Sequence, residues 1–298
     1  MVVGGFSRVG KLSQSEPMRL AHIVNPVAVG ETSDLFTAQP ITFQTMVEAK
    51  RYAAPRVPVE LFTAQFAEDR GLAPAEFVAT PDLDRSIRDC GDFKQSKKLP
   101  LIKDILDRLY EATAAEHLIY TNVDIGVQPY FYVAIAELIG QGYDAFTINR
   151  RVVSGQFKRS QDIPRIWAEV GTRHGGHDCF VFGRSLYPKF RFGSVCIGTG
   201  GVGRALIYNL LCHGKQVTLF SDKHLTFHIG EDQPWRDGKF RDMLEFNKLE
   251  CERVLQQLES EFGHFDYTRI GNVQLKWTGA KQLISRLVSV GRSLRGQK

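Results

Sequence analysis

The regular alternation of apolar runs with amphipathic segments between residues 20 and 151 constrains the fold of this chain more than any other feature. Runs rich in β-branched and aromatic residues predict strands at 20–29, 57–66, 117–125 and 143–151. Apolar residues at helical spacing predict helices at 41–53, at 99–113 and from Pro129 onwards. This order predicts an α/β fold with a mostly parallel sheet flanked by helices.

The second half of the chain is less regular. It contains a predicted strand at 177–182, a predicted helix at 201–213 and a long amphipathic helix at 240–262. We therefore expect three parts along the sequence. They are a flexible N-terminus at 1–18, an α/β domain at 19–232 and a C-terminal helical extension at 233–298 that packs on the domain.

Charge and composition limit the classes of function. The 298 residues include 38 Lys and Arg against 33 Asp and Glu, a net charge of +5 that suits an anionic small ligand and gives no reason to expect nucleic acid. Five cysteines without a CxxC pair make a disulfide framework or a cysteine-rich zinc site unexpected. With no apolar run of signal-peptide or membrane-span length, we expect a cytoplasmic protein. Leucines among basic residues at 280–298 leave weak association with a membrane surface open.

The polar residues that follow the predicted strands are the candidates for ligand binding. Ligands of open α/β sheets bind beyond the carboxyl ends of the strands. Asp124 occupies this position in the segment Leu118–Gly126, where an apolar strand ends in a turn that carries a carboxylate. Mg²⁺ and Mn²⁺ prefer oxygen ligands, and a leaving diphosphate needs such a cation to neutralise its charge. Asp124 is therefore the first candidate metal ligand.

The segment Thr121-Asn122-Val123-Asp124 resembles the DxD-type motif of GT-A glycosyltransferases. The later segment Leu225–His228 resembles the strand on which many of these enzymes carry a histidine metal ligand. The resemblance covers roughly residues 19–232 and implies a GT-A-like, metal-dependent transferase. Such an enzyme moves a sugar from a nucleotide-sugar donor to a saccharide or other hydroxyl acceptor. It implies Mn²⁺ or Mg²⁺ as cofactor, with Asp124 and His228 as ligands.

Asn122 departs from this motif, because the fuller form has aspartate there. Its amide can still offer a carbonyl oxygen or bind a ribose. The residues expected to bind the donor are Asn25, Val29, Lys103, Asn122 and Arg150. Inverting sugar transfer also requires a base, for which Asp178 is the first choice and the adjacent His177 the second.

Two other functions stay open. Gly198, Gly200 and Gly203 match GxGxxG, a helix pattern follows, and Asp222 ends the next apolar run. This pattern resembles the dinucleotide fingerprint of NAD- or FAD-binding oxidoreductases. The fingerprint normally opens a βαβ series, whereas here the α/β series precedes it, which favours the transferase. The third possibility is a non-catalytic nucleotide-sugar-binding protein, since a fold does not guarantee an activity.

Overall fold

The computed structural model describes residues 18–230 and 240–263, which form one sheet with helices on both faces. The strands are β1 Leu20–Val24, β2 Val59–Thr63, β3 Phe77–Ala79, β4 His117–Thr121, β5 Gly126–Val127, β6 Ala145–Val153, β7 Thr172–Gly183, β8 Val217–Phe220 and β9 Thr226–Ile229. The α-helices are α1 Asp34–Ala53, α2 Ile102–Ala112, α3 Phe131–Gly140, α4 Ile163–Ala168, α5 Val202–His213 and α6 Arg241–Phe262.

The strand order is β3-β2-β1-β4-β7-β6-β9-β5, and β8 pairs with the first half of β6. Strands β1 to β4 run parallel to one another, and β8 and β9 run parallel to β6. Strand β7 is antiparallel to both of its neighbours, and β5 is antiparallel to β9. The prediction of a mostly parallel α/β sheet with a C-terminal helix is therefore confirmed. The carboxyl ends of the parallel strands share one edge with the beginning of β7.

Each face of the sheet has its own apolar core. On one face, α1 and α3 cover the strands through side chains that include Phe43, Met46, Phe131 and Ile135. On the other face, α2, α5 and α6 cover them through side chains that include Ile105, Leu106, Leu206, Leu210, Val254 and Leu258. Because both faces are covered, the central strands are largely apolar, as is typical of parallel sheets.

Parts of the sequence predictions fall outside the described residues. These parts are the N-terminus at 1–17, the segment 231–239 and the basic leucine-containing segment at 280–298. The proposed domain boundaries stay a prediction. Within 18–230 and 240–263, none of the helices has both the length and the apolar character needed to cross a bilayer.

His22 is a buried polar link at the centre of the sheet. Its side chain is 1% exposed, and its ring nitrogens lie 2.9 Å from the Tyr132 hydroxyl and 2.9 Å from Thr121 Oγ1. The three residues belong to β1, α3 and β4, so the ring ties the carboxyl end of β4 to its neighbours. Burial lowers the pKa of His22 to about 3, and the ring is therefore neutral at neutral pH.

We expect the His22→Gln variant to lose part of the wild-type pH dependence of stability. An unfolded histidine takes up a proton as the pH falls through 6.5, whereas folded His22 stays neutral down to about 3. Between these values the wild-type free energy of unfolding should fall by about 1.4 kcal/mol per pH unit from this group alone. Urea unfolding of both proteins at about pH 7 and about pH 5 measures the difference. Parallel losses in the two proteins would show that His22 is not the cause.

Candidate functional site

Four elements bring charged side chains together at the carboxyl edge of the sheet. Asp124 lies in the turn after β4, and Asp178 lies on β7, which enters the sheet between β4 and β6. Arg150 is on β6 and His228 is on β9. The structure thus brings together both predicted metal ligands, the predicted base and one predicted donor-binding residue.

Asp124 and His228 form one pair in this cluster. Asp124 Oδ2 lies 3.3 Å from His228 Nε2, and His228 Nδ1 donates to the Gly230 carbonyl at 2.7 Å. Burial raises the pKa of Asp124, but the hydrogen bond and charge of His228 outweigh it, and the pKa lies below its usual value. Burial lowers the pKa of His228, but Asp124 raises it by more. The second oxygen of Asp124, Oδ1, is buried without a hydrogen-bond partner.

Asp178 and Arg150 form the second pair. Arg150 Nη1 donates to Asp178 Oδ2 at 3.3 Å, and the two side chains are 11% and 17% exposed. Burial raises the pKa of Asp178, Arg150 opposes this, and the net pKa lies above the usual value. The charge of Asp124 adds to the rise, because the two carboxylates lie close enough to repel each other.

A β-bulge sets the position of Asp178. In the pairing of β6 with β7, Ile148 lies opposite Cys179, but the next residue, Asn149, lies opposite His177. Asp178 is therefore the extra residue of the bulge. Bulges bend a strand and redirect a side chain, and they are common beside active sites. Here the bulge separates Asp178 from the regular alternation that buries Cys179 in the core.

Asn122 is held by the hydroxyl of Tyr120. Tyr120 is 1% exposed and donates to Asn122 Oδ1 at 2.8 Å. Because this bond takes one lone pair of the amide oxygen, the amide nitrogen is the freer of the two polar groups of Asn122. This arrangement favours a contact with a ribose or phosphate oxygen over metal ligation. Sequence reasoning did not identify Tyr120, since a tyrosine within an apolar strand gives no functional signal.

A cavity of about 390 Å³ opens at the other end of the same sheet edge. It lies beyond the carboxyl ends of β1, β2 and β3, and its lining includes Pro26, Thr63, Gln65, Asp69, Phe77 and Thr80. Asp69 Oδ1 accepts the N–H of Ala28 at 2.6 Å and so pins the loop after β1 over the cavity. Most of the lining residues lie between Asp69 and Asp82, a stretch with proline, glycine and charged residues and no clear periodicity, so the sequence did not single them out.

The other predicted site residues have different environments. Asn25 is buried and donates to the Ala64 carbonyl at 2.6 Å, which joins the ends of β1 and β2, and Val29 is half-buried in the loop after β1. Lys103 forms an ion pair with Asp107 at 2.5 Å, so a partner on its own helix already engages its charge. His177 is buried with Nδ1 2.7 Å from Thr147 Oγ1, and burial lowers its pKa to about 4. These contacts favour Asp178 over His177 as the base.

The glycine motif does not form a dinucleotide fingerprint. The fingerprint requires a strand before its first glycine, but Cys196 makes only an isolated bridge to Leu101. Helix α6 also packs on the loop, where a side chain at Gly201 would meet the Cys251 sulfur at 2.9 Å. Asn247 of α6 accepts from Cys196 N at 2.8 Å and donates to the carbonyls of Cys196 and Gly200 at 3.1 and 3.0 Å. The glycines allow this close packing, and the NAD or FAD hypothesis is not supported.

No protein family and no curated protein matches the sequence. Among solved structures, residues 1–349 of S. aureus TarS in complex with UDP-GlcNAc are 10% identical, with 90% of this chain and 79% of that chain covered and a TM-score of 0.45. Glucosyl-3-phosphoglycerate synthase from Mycobacterium tuberculosis, in complex with Mn²⁺, UDP-glucose and phosphoglyceric acid, is 15% identical. This match covers 84% of this chain and 82% of that chain, with a TM-score of 0.44. At this level of likeness, function has to be inferred from the side chains of this chain.

We expect Asn247→Ala to lower the free energy of unfolding by about 2–4 kcal/mol, because it leaves the buried Cys196 N–H without an acceptor. The neighbouring Lys248→Ala, on the exposed side of α6, serves as the control and should change stability little. Urea unfolding measures both variants. Equal stabilities of the two variants would mean that Asn247 does not hold the glycine loop.

Proposed function

We propose that this chain is a metal-dependent glycosyltransferase that moves a sugar from a nucleotide-sugar donor to a hydroxyl acceptor. The proposal rests on the orientation of the His228 ring, which points Nε2 at a carboxylate oxygen of Asp124. A carbonyl oxygen can only accept, so the bond to Gly230 puts the proton of a neutral ring on Nδ1. Nε2 then presents a lone pair to a carboxylate oxygen 3.3 Å away. Two acceptors at this distance require a positive charge, either a second ring proton or a shared cation.

The residues present fit Mn²⁺ or Mg²⁺. A histidine whose Nδ1 donates to a backbone carbonyl is oriented as metal-binding histidines commonly are. Asp124 Oδ1, buried without a partner, supplies an unused oxygen ligand. Within the described ranges no three His, Cys, Asp or Glu side chains form a cage for a cation. This suits a cation held by one or two protein groups together with substrate phosphates, as Mg²⁺ often is.

The positions of the cavity and of Asp124 along the carboxyl edge of the sheet support binding of a nucleotide-sugar donor. The cavity at β1–β3 takes the base and ribose, and Asp124 lies after β4, the next strand beyond β1. Strands β2 and β4 are two strand spacings apart, roughly 10 Å. That separation suits the distance between the base of a nucleotide and its diphosphate. Asn122 lies in the same segment after β4, two residues before Asp124, and would offer its amide nitrogen to the ribose or a phosphate oxygen.

In the reaction, the bond between the anomeric carbon and the diphosphate oxygen breaks, and the electron pair leaves with the diphosphate. When bound, a divalent cation stabilises the charge that develops on this leaving group. The acceptor hydroxyl forms the new bond to the anomeric carbon, and its proton passes to Asp178 if the configuration is inverted. Burial makes Asp178 a better base than an exposed aspartate, and Arg150 holds its carboxylate in place. A retaining enzyme would not need this base.

We expect Asp124→Ala and Asp124→Asn to lower turnover on the order of 100-fold or more, because each removes charge that holds the cation. The assay is hydrolysis or transfer from a panel of nucleotide sugars with Mn²⁺ or Mg²⁺ present. Asp92→Asn makes the same chemical change at an exposed position and should leave turnover unchanged. Full activity of the Asp124 variants would reject the metal assignment. Donor binding without turnover of any donor and acceptor would favour a non-catalytic binding protein.

We expect Asp178→Asn to lower turnover far more than it weakens donor binding, since a base acts chiefly in the transition state. Calorimetry with a nucleoside diphosphate and Mn²⁺ gives the binding constant, and transfer kinetics give turnover. His177→Asn is the matched comparison on the adjacent residue and should affect turnover less than Asp178→Asn does. The opposite order would make His177 the base.

A further inference from the structure

Two arginines lie directly opposite each other where β6 and β7 extend past the site. In the register of these strands, Arg151 of β6 is paired with Arg173 of β7. This pair comes after Arg150 along β6 and before Asp178 along β7. Like charges that face each other across a strand pair destabilise the sheet. At least one of the two arginines therefore needs a partner that offsets this repulsion.

The two arginines differ in what they contact. The guanidinium of Arg151 donates to the carbonyl oxygens of Val170 and Gly171, the latter at 2.9 Å, and so holds the turn before β7. Arg173 is exposed, and no carboxylate in the described part of the chain pairs with it. The carboxylate of Glu169, near the start of β7, already accepts the N–H of Ser154 at 2.7 Å. The guanidinium of Arg173 is thus available to an anion.

The backbone next to Arg173 leaves room for a ligand. Between the Asn149–His177 and Arg151–Arg173 pairs, β7 has more residues than β6, which makes a second bulge. At Gly175, within this bulge, a Cβ would have no atom within 4 Å. The charge of Arg173 also helps to lower the pKa of His177, the residue before Asp178. Arg173 is therefore close enough to influence the residue next to the candidate base.

Among the described residues, the carboxylates of the site do not pair with Arg173. The two carboxylates of the site, Asp124 and Asp178, already pair with His228 and Arg150. The charge of Arg173 is therefore left without a partner from the site. Guanidinium groups bind phosphate and carboxylate groups through paired hydrogen bonds.

We propose that Arg173, supported by Arg151, binds an anionic group, phosphate or carboxylate, of the hydroxyl acceptor. That this ligand is the acceptor rests on the proposed function. The order of strands separates it from the donor, whose cavity lies at β1–β3, on the far side of Asp124 and Asp178 from the arginines. An acceptor anchored at Arg173 would bring its hydroxyl to Asp178 from the side that the donor leaves open.

Binding of glycerol 3-phosphate to the full chain, with glycerol as the neutral comparison and no metal added, tests the proposal by calorimetry. We expect wild type to bind the phosphate ester and not glycerol. Arg173→Gln should weaken this binding on the order of tenfold, the effect of losing one charge-assisted contact. Arg56→Gln removes the same charge from an exposed site at the opposite edge of the sheet and should leave affinity unchanged. Arg173→Lys, which keeps the charge, should fall between wild type and Arg173→Gln.

Equal affinity of wild type and Arg173→Gln, or no binding by wild type, would overturn the proposal. The same conclusion follows if Asp124→Asn weakens phosphate binding as much as Arg173→Gln does, because the ligand would then occupy the donor side. Urea unfolding checks that each variant is folded. Arg173→Gln should be at least as stable as wild type because it removes a like-charge pair. Nucleotide-sugar binding with Mn²⁺ is measured on the same proteins. If none of these proteins binds the nucleotide sugar but Arg173→Gln still weakens binding of glycerol 3-phosphate, the proposed function is rejected and the anion site is retained.

Discussion

Strand β7 is the element on which the rest of the sheet depends. Strands β6, β8, β9 and β5 join the others only through β7, which pairs antiparallel with β4 on one side and β6 on the other. The same insertion brings Asp124, from the β4 side, to His228, from the β9 side. Without β7 in this place the two halves of the candidate metal site would belong to separate sheets. The bulge in β7 then places Asp178 beside these two residues. One strand therefore joins the two parts of the sheet and brings the charged side chains together.

Buried charges are costly, and the site limits the cost by pairing them. Asp124 pairs with His228 and Asp178 with Arg150, so neither carboxylate is buried without a partner. Pairs of this kind contribute little net stability, because the desolvation of both groups offsets their attraction. Their presence at a strand end is therefore better explained by chemistry than by folding. The buried, unpartnered Oδ1 of Asp124 points the same way, since a purely structural carboxylate would normally use both oxygens.

The order of strands and helices was predictable from the sequence because each element carries its own local periodicity. The helix predicted to begin at 41 begins at Asp34, since Ser33 caps it and Pro40 is accommodated inside it. The pairing of Asp124 with His228 followed from the family resemblance. The cavity, the bulge at Asp178 and the Arg151–Arg173 pair were not predictable. They depend on which strands meet and in what register, and local sequence does not encode those non-local pairings.

The neutral residue at the first position of the motif, Asn122, fits the charges that the other strands bring close to it. A carboxylate at this position would be a third negative charge near Asp124 and Asp178. The amide removes that repulsion, and its carbonyl oxygen takes the hydrogen bond of the buried Tyr120 hydroxyl. The neutral Asn122 therefore leaves Asp124 and Asp178 as the two acids of the cluster.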